Sequence, residues 1–343
     1  MMIKLHNITI ITIIIVYLVI LAGGIVRMTG SGMGCPDWPK CFGYLVPPTE
    51  RSQLDWKSQY RYNKNQIIII EDDLFYALQN FTSSDKFNMS NWNKYTKHDY
   101  SKFNVYHTWI EYINRLIGAV AGLSVLILLL NSFKFIKKRK MIFGLSLISL
   151  LAILFQAWLG KTVVDSNLTA NTITLHMLMA IILLFILFSI LALVKPTKPR
   201  INIPRSTSIF VIISIILLLI QVLIGTEVRK FIDIQMELFN YTDKNKWIQN
   251  IPITFSIHRS FSWIIIIINS IIFYRIKKFG INSKVANSIF ILIFLQILSG
   301  IIMYYFDFPF SSQPLHLLIS TIIIGLQFYF LILYNQKKNA IKV

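Results

Sequence analysis

The chain has 343 residues, of which 55% are hydrophobic and 14% charged, and its mean hydropathy is +0.60. A soluble domain of this length could not bury so much apolar surface, so the composition predicts a polytopic membrane protein. The formal net charge is +19. The basic clusters are short loops without interleaved aromatic residues, which argues against a nucleic-acid partner.

Eight apolar runs of about 20 residues are long enough to cross a hydrocarbon layer of ~30 Å. They lie near 8–26, 108–130, 141–160, 173–194, 208–226, 255–274, 285–305 and 315–334. The first run is too long for the core of a signal peptide and lacks a convincing cleavage site, so we interpret it as a retained helix. The predicted fold class is all-α, with eight transmembrane helices.

The segments between the runs differ in charge. Half of the 34 Lys and Arg residues and none of the 15 acidic residues lie in the N-terminal tail and in 131–140, 195–207, 275–284 and 335–343. The positive-inside rule then predicts that both termini are cytoplasmic. Nothing at the N-terminus looks like an organellar transit peptide, which favours a bacterial plasma membrane.

Residues 28–104 form a long outer segment that holds both cysteines, Cys35 and Cys41, on either side of a Pro-Asp-Trp-Pro-Lys turn. Disulfides persist on this side of the membrane, so we favour a disulfide. Two unpaired thiols, or a pair that exchanges with a redox partner, are the alternatives. Further along, residues 67–79 are a candidate for a short amphipathic helix. Residues 50–104 show no pattern that indicates catalytic residues.

The second helix concentrates polar residues. His107, Glu111 and Asn114 follow spacings that place them along one helical face. Ionisable groups at membrane depth generally face the bundle interior and serve a site. The alternative is that Glu111 forms a local ion pair with Arg115, four residues on.

An internal repeat organises the rest of the chain. Three apolar runs end in Gln-x-x-x-Gly, and a histidine stands near the start of each following run. The three sets are Gln156, Gly160 and His176; Gln221, Gly225 and His258; and Gln296, Gly300 and His316. A degenerate fourth copy ends at Gly23 and has Asn114 in place of the histidine. The chain is therefore expected to consist of two pseudo-symmetric four-helix halves, 1–194 and 195–343.

Three histidines at one repeat position indicate metal or haem ligation. A bare zinc or copper ion is generally bound by three or four protein ligands. One imidazole from each of two helices suits axial ligation of an iron porphyrin. His258 and His316 would hold one haem, whereas the first half offers His176 opposite Asn114. This asymmetry is expected of a protein that retains one haem and acts on another.

The chain resembles the haem A synthase family over essentially its whole length. The most specific stretches are GGIVRMTGSGMGCPDWPKCFG, EYINRLIG, TLHMLMA, HRSFSW and PLHLLIS. The resemblance implies an oxidation of the methyl group of haem O to the formyl group of haem A, for cytochrome oxidase. It also implies a haem b cofactor on His258 and His316, with haem O received by the first half.

Further residues follow from the same resemblance. Glu111 matches the glutamate of the family's Glu-x-x-His-Arg motif, and His176 matches the second N-terminal histidine. Cys35 and Cys41 match an outer-loop cysteine pair found in one branch. The family usually has histidine where this chain has Asn114, so we expect His176 to be the sole protein imidazole on the substrate iron. His107 could compensate only if the haem or the helix is displaced.

The expected mechanism is oxygen-dependent hydroxylation of the methyl group, repeated once, followed by loss of water to give the aldehyde. Glu111 would manage protons or orient water, and Asn114 would hydrogen-bond water or an oxygen species. Arg27 and Arg115 are candidates for the propionates of the substrate haem, and Arg229 and Arg259 for those of the cofactor; snorkelling to the interface is the alternative for Arg27 and Arg229. The three glutamines of the repeat are expected to form hydrogen bonds between neighbouring helices.

Two other functions fit a haem-binding bundle. One is a di-haem b-type electron carrier that alters neither haem, and the other is a haem transporter or insertion factor. The enzyme would need haem O, delivered by a haem O synthase, and an electron donor that the sequence does not identify. A homo-oligomer is compatible with the sequence.

Overall fold

The computed structural model describes residues 2–96, 103–196 and 203–335. In these ranges eight helices are long and apolar enough to span a membrane, which confirms the mostly helical, multi-pass prediction. They are α1 (Met2–Met28), α2 (Val105–Ser132), α3 (Lys140–Asp165), α4 (Ala170–Val194), α5 (Arg205–Leu238), α6 (Ile253–Lys278), α7 (Lys284–Tyr305) and α8 (Ser312–Tyr334). Parts of the predicted outer segment (97–102) and of two predicted basic segments (197–202 and 336–343) lie outside the described residues.

Local sequence explains where several helices begin. Asn104 caps α2, because its side-chain oxygen accepts hydrogen bonds from the backbone N–H groups of Tyr106 and His107. Pro204 and Pro252 directly precede α5 and α6. A proline is tolerated there because the first N–H groups of a helix have no partner within it.

Helix α5 is longer than its apolar run predicts. It continues beyond 226 to Leu238 and has 34 residues, a length of about 51 Å at 1.5 Å per residue. The polar residues after Gly225 end the apolar run, but they include no proline or glycine that would end the helix. The last turns of α5 therefore extend past a hydrocarbon layer of ~30 Å and carry Arg229 and Asp233.

The centre of the bundle is built around α4 and α8, which are the most buried of the eight helices. Phe185 of α4 stacks on Phe328 of α8 with the ring centroids 4.2 Å apart. A Cβ atom on Gly325 of α8 would lie 2.4 Å from the hydroxyl of Tyr17 and 2.5 Å from the ring of Phe188. Only glycine therefore allows α1, α4 and α8 to approach so closely.

The outer segment contains strands where the sequence suggested a helix. In its described residues, five strands form a two-stranded sheet and a three-stranded antiparallel sheet in the order β2–β3–β5. They are β1 (Arg61–Tyr62), β2 (Ile67–Ile70), β3 (Asp73–Ala77), β4 (Phe81–Thr82) and β5 (Trp92–Lys94).

The expectation of a short amphipathic helix over 67–79 is therefore wrong. Four consecutive isoleucines favour a strand, because their branched side chains are stiff and fit a pleated surface. Ile67 and Ile69 pack on the two cysteines, while Ile68 packs with Tyr62 and Trp92. Both faces of β2 are thus buried, which hides the alternation by which a strand is usually recognised.

Candidate functional site

Each glycine of the repeated motif lies against the imidazole of the next helix. A Cβ atom added to any of the three glycines would lie within 3.4 Å of the nearest imidazole carbon, Cε1. The pairs are Gly160 with His176 (3.4 Å), Gly225 with His258 (3.0 Å) and Gly300 with His316 (3.4 Å). A Cβ atom at Gly225 would be too close to the ring, which would have to move, whereas at Gly160 and Gly300 it would just touch the ring.

Two of the three glutamines fix the backbone that carries the imidazole. The side-chain amide of Gln156 donates to the backbone carbonyl of His176 at 2.9 Å. Gln221 donates to the carbonyl of His258 at 2.8 Å. In this motif the glutamine holds the neighbouring helix, and the glycine one turn later leaves room for the ring.

His258 and His316 lie side by side near the N-terminal ends of α6 and α8. Their ring centroids are 6.3 Å apart. A metal about 2 Å from a nitrogen of each ring, with each nitrogen about 1 Å from its centroid, gives a separation of roughly 6 Å. The two imidazoles therefore have the spacing of a bis-histidine pair.

Ser299 fixes the tautomer of His316. Its hydroxyl lies 2.8 Å from Nδ1 of His316 and 2.8 Å from the backbone carbonyl of Gln296. The carbonyl can only accept, so the hydroxyl donates to it and accepts from Nδ1–H of the histidine. The lone pair of His316 Nε2 is then free to bind a metal.

Helix α2 carries an amide, Asn114, at the repeat position where α4, α6 and α8 carry an imidazole. Gly23 faces Asn114, and a Cβ atom on this glycine would lie 4.0 Å from the Asn114 oxygen. In the described part of the chain, that oxygen and Nδ1 of His176 are buried without a hydrogen-bond partner. Both atoms are available to a molecule bound between the helices.

Glu111 is buried and engaged on both carboxylate oxygens. One oxygen accepts a 2.8 Å hydrogen bond from the backbone N–H of Cys35, and the other is paired with Arg115. The side chain of Glu111 is only 5% exposed, so these two donors are what stabilises its charge. The local ion pair considered from the sequence is therefore present.

Arg115 also holds the cysteine loop. It donates to the backbone carbonyls of Asp37 at 2.7 Å and of Lys40 at 3.0 Å. Cys35 and Cys41 form a disulfide, which confirms the favoured prediction. Glu111 and Arg115 together dock this disulfide loop on the outer end of α2.

A cluster of charges joins α1 to α5. Both carboxylate oxygens of Asp233 are paired: one with Arg27 at 2.6 Å and the other with Arg229 at 2.7 Å. Arg229 Nε and Nη1 are buried without a partner in the described residues. We name Arg27, Arg229 and Asp233 the outer arginine cluster.

The remaining candidates lie at the rim. Arg259 is exposed and lies over the ring of Phe255, with its guanidinium carbon 6.0 Å from the centroid. The backbone of His107 is packed against Gly34, where a Cβ atom would lie 2.3 Å from the His107 carbonyl oxygen. The backbone of His107 is thus part of the surface of α2 on which the cysteine loop packs.

Sequence reasoning missed Asp233 and Ser299. Asp233 stands four residues after Arg229, a spacing that predicts a helical ion pair. Its second partner, Arg27, is 206 residues away in sequence, and no local pattern reveals such a contact. Ser299 lies within the third repeat, one residue before Gly300, and its contact with His316 depends on how α7 packs on α8.

Comparison with known proteins gives a consistent picture. The chain is 25% identical to the "Heme A synthase" of Rickettsia prowazekii, with 91% of this chain and 92% of that protein aligned. It is 26% identical to the "Heme A synthase" of Ehrlichia canis over 92% of this chain and 89% of that one. An alignment with the protein of the same name from Shewanella oneidensis, at 27% identity, spans 63% of this chain and about half (54%) of that protein.

The sequence pattern of a family described as cytochrome oxidase assembly proteins matches residues 6–75 and 82–328. The match includes all eight helices in whole or in part, the cysteine pair and each of His176, His258 and His316. The chain therefore belongs to this family of cytochrome oxidase assembly proteins.

Proposed function

We propose that this protein is a haem A synthase, a haem-dependent oxidoreductase that converts haem O into haem A by successive oxygen-dependent hydroxylations of one methyl group. The observation that carries the proposal is the difference between the two ligand positions. His258 and His316 have the spacing of a bis-histidine pair, whereas His176 shares the first half with the amide of Asn114. Relatives named "Heme A synthase" that align over about nine tenths of the chain support the same reaction.

We assign His258 and His316 to a resident haem b. The ring spacing and the free Nε2 of His316 fit two imidazoles that would both bind the iron of a haem. Such a haem supplies one-electron chemistry when bound. Gln221 and Ser299 would hold the two imidazoles in the ligating orientation, and Gly225 and Gly300 would leave the space in which they lie. Arg229 and Arg259 are the proposed partners of its propionates.

We assign the first half to the substrate, haem O. His176 would bind the substrate iron on one side, with its backbone held by Gln156. Asn114 would leave the other side open, since an amide oxygen is a weak ligand for iron, and would hydrogen-bond water or an oxygen species there. Arg27 and Arg115 are the proposed propionate partners, although Arg115 would have to share donors with the loop carbonyls that it already binds.

Glu111 is the proposed group that handles protons. Its two oxygens are fixed by Cys35 N–H and Arg115, so its carboxylate has one orientation with respect to α2. A proton or water molecule near the reacting methyl group would be held at this carboxylate. The same contacts make Glu111 sensitive to the position of the disulfide loop.

The setting follows from the same proposal. The protein would lie in a bacterial plasma membrane with both termini in the cytoplasm, and its halves 1–194 and 195–343 would hold substrate and cofactor respectively. Haem O would come from a haem O synthase, and electrons from a membrane or soluble donor.

Pigment extraction tests the reaction directly. Cells that make haem O, but lack another haem A synthase, are expected to accumulate haem A only when they carry this protein. Glu111→Ala and His176→Ala should abolish haem A formation. His6→Ala is a matched control, because His6 lies near the start of α1 and its ring hydrogen-bonds only to the neighbouring Asn7 within the described ranges. Haem A formation that survives Glu111→Ala would remove Glu111 from the mechanism.

Optical spectra of the purified protein separate the enzyme from a di-haem electron carrier. We expect a low-spin haem that is lost in His258→Ala or His316→Ala, and a second, ligand-exchangeable haem that responds to His176→Ala. Two equal low-spin haems that both survive turnover unchanged would favour the electron carrier and count against an open position at Asn114.

A further inference from the structure

The outer arginine cluster connects the two halves through one carboxylate. Asp233 of α5 pairs with Arg27 of α1 through one oxygen and with Arg229 through the other. The guanidinium of Arg229 also donates to the backbone carbonyl of Arg27 at 3.4 Å. The two arginines are therefore held together by a shared counter-ion.

The charges of this cluster are not balanced. Two guanidinium groups and one carboxylate leave one positive charge, and the arginine side chains are 24% and 16% exposed. Arg229 Nε and Nη1 have no partner among the described residues. A largely buried guanidinium with unused donors is costly, so this position is suited to an additional anion.

Each arginine lies one helical turn outside a ligand position. Arg27 follows Gly23 by four residues, and Gly23 faces Asn114 in the first half. Arg229 follows Gly225 by four residues, and Gly225 lies against His258 in the second half. At 1.5 Å per residue, each guanidinium-bearing residue is about 6 Å along the helix axis from the glycine that marks a haem position.

We infer that Asp233 is a positioning residue that couples the two haem sites, because it is the shared counter-ion of an arginine from each site. This inference rests on the proposed function. A propionate of the substrate haem that binds Arg27 competes with Asp233 for that guanidinium. Asp233 would then act more fully on Arg229, and the added negative charge would stabilise the ferric form of a haem held by His258 and His316.

Two results are expected from potentiometric titration of the low-spin haem in the purified holoprotein. Asp233→Asn should raise its midpoint potential, changing the ratio of oxidised to reduced haem at a fixed potential by at least about threefold, or about 30 mV for one electron. Adding haem O should lower the midpoint potential of the unaltered protein. In Asp233→Asn, this decrease should be less than half as large.

Asp243→Asn is the matched control. It removes the same charge from the same side of the membrane, but Asp243 is more than half exposed and, in the part of the chain that the structure describes, pairs only with Lys246. Asp233→Glu should restore the response to haem O in part. Arg27→Gln is a second test variant, to be used if Asp233→Asn does not retain haem, because it leaves the Arg229–Asp233 pair intact. In Arg27→Gln, haem O should no longer shift the midpoint potential.

Equal midpoint potentials in Asp233→Asn and Asp243→Asn would overturn the inference, as would an undiminished response to haem O in Asp233→Asn or Arg27→Gln. These outcomes differ from a failure of the proposed function. In that case the unaltered protein would make no haem A from haem O, whatever the potential of its haem.

Discussion

Replacement of Gly225 by alanine tests whether the repeated glycines make room for the imidazoles. The new Cβ atom would lie 3.0 Å from Cε1 of His258, whereas carbon atoms pack best at about 3.5–4.0 Å. The imidazole must therefore move by about 0.5 Å or more, or the helices must separate. Forcing a methyl group into a packed site costs about 1–3 kcal/mol.

Part of this cost is offset in the helix. Alanine is favoured over glycine in a helix interior by about 1 kcal/mol, so the protein need not lose stability overall. The expected effect is instead a displaced His258 imidazole, which binds haem iron less well. If about 1–2 kcal/mol is lost from haem binding, the affinity falls by about 5–30-fold.

The assay is the haem content and low-spin absorbance of the purified protein, with its thermal midpoint measured in parallel. Gly118→Ala is the matched control, because a Cβ atom on Gly118 meets nothing within 4 Å. Gly300→Ala should have a smaller effect than Gly225→Ala, since the corresponding distance to His316 is 3.4 Å. Full low-spin haem in Gly225→Ala, at the level of Gly118→Ala, would refute the reasoning.

Two further predictions concern the cysteine loop. Burial raises the pKa of Asp37 above its ordinary value of 3.8. Hydrogen bonds from the backbone, including one from the N–H of Gly43, lower this pKa but do not cancel the effect of burial. An acid with a raised pKa in the folded state favours folding only while protonated, so stability falls as the pH rises through the folded pKa. Asp37→Asn should therefore raise the thermal midpoint at pH 7, with the difference vanishing below about pH 4; an equal difference at both pH values would contradict this. Arg115→Lys loses the planar fork that binds the loop carbonyls, so the Cys35–Cys41 disulfide should be reduced by dithiothreitol about 10-fold faster or more, and an unchanged rate would show that Arg115 does not hold the loop.

The repeated motif shows why ligand positions can be read from a membrane sequence. Gln156 and Gly160 lie on one helix and His176 on the next, and the same arrangement returns twice. In two of the three sets the glutamine donates to the backbone carbonyl of the histidine. In all three sets the glycine leaves the space in which the imidazole lies. The residues of each set lie on consecutive helices that pack together, so their order along the chain places them side by side. This holds for the short connection between α3 and α4 and for the longer one, 239–252, between α5 and α6.

Apolar length predicted the eight helices, and motif spacing predicted that a glutamine, a glycine and a histidine recur together. The cysteine pair in one loop favoured a disulfide over free thiols, and the structure contains it. The strands at 67–77 were not determined in this way, because β2 is buried on both faces by residues far apart in the chain, Cys41 and Trp92 among them.

Which charged groups meet depends on how the helices and the outer segment pack on one another. Asp233 reaches Arg27 across 206 residues, and Glu111 reaches the backbone of Cys35 across 76. Such contacts arise from the packing of whole helices and from the docking of a loop, and they leave no period in the sequence. The physical reason is that hydrophobic length sets where a helix lies in the membrane, whereas shape and charge complementarity set which of its faces touches a distant partner.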